Sequence, residues 1–405
     1  MSIGPKLATP NPAIGPCAAL AAAKKGMSSH VIDRADPAEL TAEGFDDRAT
    51  AISTASWHLF ENIGIAAGLE EFACDIASIA VTDQNKPGRL DFQPGTGGGT
   101  LGRMFPNRRL RLALFEAAAK EPLINWVAKA NVTERQRSEY GVAAVLADGQ
   151  KLKGRLMIAA EGRQSPTRDQ AGISIAKWDY KHRAIIAGLT HEKPHGNVAW
   201  EIFYPAGPFA LLPLNDDADG THRSSLVWTV SEADGAGVMK LGDRAFLAEV
   251  EKRMGGVLGK VKTVGHRSSW PLGFHHTAKI TAERLALIGD AGHGIHPIAG
   301  QGLNLGLRDV AALAEVGLVA RELVLGRRVI ERATRGADNP GRTFAIDGDD
   351  EFHGSDDLEH VARRQRGEGG GRQGLVPEGD RAEVVLQRQV AAVAAPAEGL
   401  DCHPQ

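Results

Sequence analysis

The sequence predicts an α/β protein in which a second, mostly antiparallel sheet domain is inserted into a domain of alternating helices and strands. Residues 13–34 contain a helix followed by a strand, which is the repeating unit of the first domain. Short strand-like runs separated by turn residues fill residues 178–275 and are typical of an antiparallel sheet. Residues 284–326 return to the first pattern, with a buried strand, a glycine-rich bend and a long helix.

The composition is that of an ordinary soluble globular protein of 405 residues, 42% hydrophobic and 24% charged. The net charge of −3 creates no basic field for nucleic acid, so we expect no nucleic-acid partner. Cys17, Cys74 and Cys402 are far apart, which argues against a disulfide scaffold or a zinc site and indicates a reducing compartment. We find no signal peptide and no apolar run that could span a bilayer, and therefore expect a cytoplasmic protein.

The first α/β unit has the sequence AIGPCAALAAAKKGMSSHVIDR, residues 13–34. It predicts a Gly-Pro turn, an alanine-rich helix, a stop at Gly26 and a strand that ends in Asp33. This is the second half of a dinucleotide-binding βαβ unit, in which a carboxylate such as Asp33 contacts a ribose. The first half of the βαβ unit matches the pattern poorly, because no clear strand precedes Gly15 and the GxGxxG fingerprint is absent.

The segments that follow are predicted from apolar spacing and turn residues. Residues 45–70 predict a polar loop and a helix, whose apolar face is Ala51, Trp57, Phe60 and Ile63. Residues 110–120 predict another helix. Residues 142–160 predict a hairpin with its turn at Asp148-Gly149, and its second strand, RLMIAA, is apolar enough to be buried.

The stretch GDAGHGIHPIAGQGLNLGLRD, residues 289–309, joins the late strand to the long helix. Its glycines permit positive φ and a close approach of the backbone to a ligand, and the helix N-terminus that follows exposes free N–H groups. Together these features suit an anionic or electron-rich cofactor. His293 and His296 have the i, i+3 spacing of metal ligands, but no third ligand stands nearby, so we predict no metal site.

This stretch resembles the second flavin-binding motif of the class A FAD-dependent aromatic hydroxylases, and it is most similar to their UbiH-like branch, from ubiquinone biosynthesis. EGRQSPTR at 161–168 resembles the DG motif, with Glu161 in place of its aspartate. DDRATAIS at 46–53 resembles a loop whose arginine reaches the cofactor, and PNRRLRLAL at 106–114 resembles a helix whose start faces the flavin. The resemblance covers residues 13–333.

The resemblance implies a Rossmann-like FAD-binding domain of the para-hydroxybenzoate hydroxylase type. This domain takes residues 1–70, 100–177 and 276–332, and the substrate-binding sheet domain takes 71–99 and 178–275. Residues 333–405 are charged and glycine-rich, and we expect a poorly patterned, disordered tail there.

The site residues follow from the same resemblance. FAD is expected to contact Gly15, Asp33, Arg48, Arg111, Gly162, Ser165, Arg168, Gly289, Asp290, Gly302, Leu303 and Asn304. The oxygen chemistry is expected beside Pro297, Gly300, Gln301 and Gly302. Candidates to line the substrate pocket are Phe203, Phe209, Leu211 and Pro213, for which the core of the sheet is the alternative location.

The resemblance implies a monooxygenase that uses FAD, NAD(P)H and O₂ to hydroxylate the aromatic ring of a polyprenylated phenol in ubiquinone biosynthesis. Such a substrate is compatible with peripheral contact at the inner face of a membrane and with other proteins of that pathway as partners. Two alternatives stay open: another flavin enzyme of this fold, either a halogenase or a prenyl reductase, and a non-catalytic scaffold protein that binds no FAD because its phosphate turn is incomplete.

Overall fold

The computed structural model describes residues 13–44, 48–95, 98–296 and 300–315. The predictions for Pro297 and for residues 333–405 lie outside these residues. The described helices are α1 Ile14–Lys24, α2 Pro37–Leu40, α3 Thr54–Ile63, α4 Asn107–Lys120, α5 Pro166–Gln170, α6 Glu232–Lys240, α7 Asp243–Met254 and α8, residues 301–315.

The described strands form several sheets of different size. They are β1 Ser29–Ile32, β2 Ala49–Ser53, β3 Cys74–Ile76, β4 Ser78–Asp83, β5 Leu90–Phe92, β6 Gly102–Pro106, β7 Ile124–Val127, β8 Val132–Ser138, β9 Gly141–Leu146, β10 Lys151–Gly154, β11 Met157–Ala159, β12 Ile175–His191, β13 Val198–Tyr204, β14 Gly207–Leu214, β15 His222–Ser231, β16 Val261–Val264, β17 Ser268–Thr277, β18 Thr281–Ala282, β19 Leu285–Leu287 and β20 His293–Gly294. Parallel pairs β1–β7 and β11–β19 belong to the α/β part, and β2, β6 and β3 form a small antiparallel sheet.

The first helix and strand are confirmed. Alanine-rich α1 buries one residue after another against α3 and α4, because its small side chains allow close packing. Gly26 adopts φ +68°, and its N–H donates to the Ala23 carbonyl oxygen, which ends the helix. The late buried strand is confirmed as β19, whose three residues are all buried.

Two sequence predictions are wrong in detail. Ala51 lies in β2, not in the helix, because β2 pairs with β6 and the side chain of Ser53 then caps α3. RLMIAA is not the second arm of the hairpin: that arm is β10, and residues 157–159 form β11 in another sheet, parallel to β19. The turn at Asp148-Gly149 is confirmed, with Gly149 at φ +88°. The predicted burial of RLMIAA is only partly correct, because Ala159 is buried whereas Ile158 is 38% exposed.

The long antiparallel sheet predicted for the second half of the chain is confirmed. Within the described residues its strand order is β20-β17-β12-β15-β14-β13-β4-β5, with β16 added to β12. Neighbours are antiparallel except β13 and β4, which run parallel. The sheet thus takes in β4 and β5 from the segment 71–99, whereas β3 pairs with β6 outside it. The division into two domains stays a prediction.

The long sheet has two different faces. The first, which we call the helix face, carries a core in which Phe209, Leu211 and Trp228 pack with Phe246 and Val250 of α7. Because strand residues alternate, the neighbouring side chains form the opposite face. That second face carries the predicted substrate residue Phe203, and we call it the substrate face for that reason. It meets β2, β3 and β6 where Ala199 and Leu214 pack with Cys74, Ile76 and Met104. No helix among the described residues is long and apolar enough to cross a membrane.

Candidate functional site

The starts of α1 and α8 meet at the end of β19. Ile14 lies in a notch between Gly289 and Gly306, and a methyl group on Gly306 would come within 2.7 Å of Ile14 Cδ1 and 3.2 Å of Gly289 Cα. Gly289 also adopts φ +57°, a conformation that favours glycine. Glycine at these two positions therefore lets the ends of three elements pack together.

Beside this contact, the backbone is open at Gly15 and Gly302. A methyl group on either residue would meet no atom within 4 Å. The first backbone hydrogen bond in α1 runs from the Cys17 N–H to the Ala13 carbonyl oxygen, so the N–H of Gly15 points out of the helix start. Helix N-termini carry N–H groups without an acceptor in their own helix, together with partial positive charge, which suits the phosphates and the electron-rich ring of FAD. The residues present here fit that cofactor.

Asn304 holds the bend before α8 against β2. Its Oδ1 accepts from the Ser53 N–H at 2.9 Å, and its Nδ2 donates to the carbonyl oxygens of Ala51 at 2.8 Å and Gly300 at 3.1 Å. The side chain is buried, with 1% exposed. Gly300 has φ +63°, and a methyl group there would lie 3.1 Å from Ala51 Cβ. Asn304 therefore positions the predicted cofactor-binding backbone, and a direct contact between its side chain and the cofactor stays a prediction.

Asp309 holds the other end of the same bend. Its Oδ2 accepts from the Gly289 N–H at 2.8 Å and lies 2.7 Å from His293 Nε2. Burial lowers the pKa of His293, but the hydrogen bond and the charge of Asp309 outweigh it, so that the pKa is raised. His296 packs edge-on against Tyr180, with the ring centroids 5.4 Å apart. No cluster of three or more potential metal ligands occurs among the residues that the structure describes.

Replacing Asp309 by asparagine is expected to reduce the free energy of unfolding by about 2 kcal/mol at low pH, because a partly buried charge-assisted hydrogen bond is lost. A raised histidine pKa stabilises the fold fully below the unfolded pKa, and this contribution is lost as pH rises through the folded pKa. Denaturant unfolding at about pH 6 and about pH 9 should therefore show a larger difference from wild type at the lower pH. Asp217→Asn, at an exposed carboxylate paired with Arg223, is the control. An equal loss at both pH values would contradict the prediction.

Glu161, where the family motif has aspartate, organises the DG-like turn. Its Oε2 accepts from Ser165 Oγ at 2.6 Å and from the Thr167 N–H at 3.1 Å. Its Oε1 accepts from Thr167 Oγ1 at 2.8 Å and from Arg135 Nη2 at 3.0 Å. Ser165 in turn caps α5 by accepting from the Arg168 N–H. The longer side chain of Glu161 thus stabilises the turn through hydrogen bonds to Ser165 and Thr167.

Arg168 joins this turn to the end of β19. It is 4% exposed, and its Nη1 donates to the carbonyl oxygens of Arg163 at 3.0 Å and Ala291 at 3.3 Å. Arg163 Nε lies 3.6 Å from Asp290 Oδ2. Gly162, with φ +80°, permits the backbone turn between β11 and α5. The structure therefore brings together the predicted residues of the two motifs, including Asp290.

The remaining predicted cofactor residues lie in four different parts of the chain. Asp33 directly follows β1, and burial raises the pKa of its carboxyl group. Arg48 lies before β2, with its guanidinium 4.6 Å from the ring centre of Trp270 on the substrate face. Arg111 is buried in α4 and donates from Nε to the Leu40 carbonyl oxygen at 2.8 Å. Leu303, on α8, is 9% exposed and belongs to the core around α1. Their contacts with FAD stay predictions.

The four predicted substrate residues do not share one face. Phe203 is 37% exposed and pairs with Pro208 on the substrate face. Phe209 and Leu211 are buried in the core of the helix face, which is the alternative that the sequence left open. Pro213 is also buried and, by the alternation of β14, lies on the side of Phe209 and Leu211. Of the four, only Phe203 has an exposed side chain, and a pocket role stays a prediction.

Sequence reasoning missed several residues that hold the site together. Asp309 closes the quoted motif, yet its role depends on a partner 20 residues away. His275 Nε2 lies 2.9 Å from the Asp290 carbonyl oxygen, and a methyl group on Gly294 would lie 2.2 Å from the His275 ring. The only signal in the sequence was the unusual density of glycine and polar residues at 289–309.

This fold and these motifs define a class A FAD-dependent monooxygenase. The fold is similar to that of PqsL from Pseudomonas aeruginosa, with a TM-score of 0.65 and 19% identity over 78% of this chain and 86% of that one. It is also similar to p-nitrophenol 4-monooxygenase PnpA from Pseudomonas putida DLL-E4, with a TM-score of 0.60 and 18% identity over 77% and 78% of the two chains. The chain belongs to the family described as FAD binding domain, whose model matches residues 13–320.

Two curated relatives are similar in sequence over most of their length. The ubiquinone hydroxylase UbiL of Rhodospirillum rubrum is 41% identical over 312 residues, 77% of this chain and 72% of the relative. The 3-demethoxyubiquinol 3-hydroxylase of Escherichia coli K12 is 32% identical over 310 residues, 76% and 78% of the two chains. These matches confirm the resemblance to the UbiH-like branch.

Proposed function

We propose that this chain hydroxylates the aromatic ring of a polyprenylated phenol in ubiquinone biosynthesis. The names of its two relatives, a ubiquinone hydroxylase and a demethoxyubiquinol hydroxylase, support this substrate class. When bound, FAD would supply the redox chemistry between NAD(P)H and O₂ that the hydroxylation needs. The protein has to hold the cofactor, exclude water and orient the phenol.

The observation that carries the proposal is an apolar edge of the substrate face. Leu90 and Phe92 of β5 are 58% and 49% exposed, and Phe203 of β13 is 37% exposed. Leu90 pairs with Val81 and Phe92 with Ile79, so both lie on the face that meets β2 and β6. Exposed apolar side chains grouped at one edge suit a polyprenyl chain, while the ring lies deeper along the same face.

The backbone at the start of α8 supplies the electrostatic part of the site. The N–H groups near Gly300, Gln301 and Gly302 lie at a helix N-terminus, where partial positive charge stabilises negative charge on a reduced ring. We call the end of the substrate face that meets the start of α8 and the segment before β2 the cofactor side. Arg48, over Trp270, adds a cation there. The ring of the phenol would lie between these groups and the sheet.

A polyprenylated substrate dissolves in a bilayer, so peripheral contact with the inner membrane face and with other proteins of the pathway is part of the proposal. The exposed side chains of β5 are the surface that would meet the lipid. This contact is transient in the proposal, because only a few apolar side chains take part.

The test is reconstitution of the purified full chain with FAD. We expect a flavin-to-protein ratio near one, and NAD(P)H oxidation that a short-chain prenylated phenol stimulates. The product should gain one oxygen atom that derives from isotopically labelled O₂. Failure of FAD to bind would instead support the scaffold alternative. A reduced prenyl chain without oxygen incorporation would support a reductase, and a halide-dependent product would support a halogenase.

A further inference from the structure

Glu201, in the middle of β13, is a buried carboxyl group that the functions described so far do not use. It is 9% exposed, and it makes no hydrogen bond or ion pair within the residues that the structure describes. Burial raises its pKa to about 7. A buried carboxyl group without a partner is costly, and such groups occur more often at functional sites than in the core.

The register of the sheet places Glu201 on the substrate face. It pairs with Val81 on β4 and with Ala210 on β14, and directly paired residues point to the same side of a sheet. Further pairings extend this row across the sheet as Val81, Glu201, Ala210, Val227, Ile186 and Ser268. Glu201 is the one ionisable member of this row.

The row also reaches the apolar edge, because Val81 pairs with Leu90 on β5. Ala199, two residues before Glu201 on the same face, packs in the cluster that includes Ala51, which lies beside Gly300. Phe203, two residues after Glu201, is one of the exposed apolar side chains of the edge. A molecule with its ring near Gly300 and its tail at Phe203 would pass Glu201.

We propose that Glu201 recognises the phenolic hydroxyl group, with its ionised carboxylate accepting a hydrogen bond from the substrate O–H. This rests on the proposed function. An ionised carboxylate is an acceptor only, and in a dry environment its hydrogen bonds are short and strong. The apolar remainder of the row contacts the ring and the tail. The single carboxylate therefore fixes which side of the ring faces the cofactor.

The charged groups around Glu201 do not dominate its titration. On the surrounding strands they are Asp83 of β4, His182 of β12 and Arg223 of β15, while Arg48 approaches from the cofactor side. Burial alone accounts for the raised pKa of Glu201. Binding of the phenol should therefore follow the ionisation of this one group.

The test measures phenol binding without turnover, in full-length protein loaded with FAD and without NAD(P)H. The probe is a short-chain prenylated phenol, and equilibrium dialysis gives its Kd from about pH 6 to about pH 8. Because Glu201 has a pKa of about 7, we expect binding to be about tenfold weaker at the lower pH. Glu201→Gln should bind more weakly at the higher pH and show no pH dependence. Asp83→Asn, at an exposed carboxylate on the neighbouring strand, should keep the wild-type profile.

The outcomes separate this inference from the proposed function. A wild-type protein that hydroxylates the phenol but binds it equally at all pH values would overturn the role of Glu201 alone. So would a Glu201→Gln variant that keeps the tenfold dependence. A protein that takes up FAD but binds no phenol at any pH would overturn both. Unfolding curves of Glu201→Gln should match or exceed wild-type stability, since a buried charge has been removed.

Discussion

Replacing Asn304 by aspartate is expected to lower the free energy of unfolding at neutral pH by about 3 kcal/mol. The two side chains have the same shape, so packing is conserved. The change removes the two hydrogen bonds that Nδ2 donates to the carbonyl oxygens of Ala51 and Gly300. It also places a carboxylate oxygen against those two oxygens, in a position that is 1% exposed. The bend that carries the open backbone of Gly302 should loosen as a result.

The loss should depend on pH in a known direction. The new carboxyl group would have a raised pKa in the folded state, so its cost is complete above that pKa and is relieved as pH falls through it. Denaturant unfolding of wild type and variant at several pH values gives the difference directly. Asn125→Asp, at an exposed side chain of β7, is the control and should change stability by less than about 0.5 kcal/mol. Equal effects of the two substitutions would show that Asn304 does not hold the bend.

The sequence predicted the elements whose signals are local. The helix of residues 14–24 and its stop at Gly26 follow from alanine content and a single glycine, and both are confirmed. The strands of the long sheet follow from alternating or apolar runs between turn residues. The glycine-rich motif at 289–309 made the resemblance to the family specific, because several residue types match the family motif at fixed spacing.

The contacts that hold the site were not predictable, because their partners are distant in sequence. Asn304 bonds to Ser53, 251 residues earlier, and nothing near either residue indicates the other. The faces on which the predicted substrate residues lie were not predictable for a different reason. Phe203 and Phe209 are both phenylalanines in apolar strands, but successive residues of a strand point to opposite faces of the sheet. The pairing of Ile202 with Phe209 places Phe209 on the helix face.

Arg48 illustrates the limit of a motif. The loop around it resembles a cofactor-binding loop, which predicts the residue but not its geometry. The structure places its guanidinium over Trp270 of β17 in the long sheet. This contact links the segment before β2 to the substrate face, and it could not be inferred from either segment alone.

Replacing Gly302 by leucine is expected to weaken FAD binding by about 100-fold or more, equivalent to about 2.7 kcal/mol. A methyl group on Gly302 meets no atom within 4 Å, so the described residues leave the first carbon of the new side chain unobstructed. Leucine also has a better helix propensity than glycine, and stability should stay equal or rise by up to about 0.8 kcal/mol. The leucine would then occupy the space in front of the α8 start, which we assign to the flavin ring.

The matched control is Gly237→Leu in α6. Gly237 is exposed, also has no atom within 4 Å of an added methyl group, and lies far along the chain from the predicted site. Both variants should unfold at denaturant concentrations no lower than wild type, while only Gly302→Leu loses flavin, as measured by titration of the apoprotein with FAD. Because stability and cofactor affinity should move in opposite directions in one variant, unfolding cannot account for the loss. Wild-type affinity in Gly302→Leu would mean that the open backbone at α8 faces solvent, and the flavin would have to be assigned elsewhere.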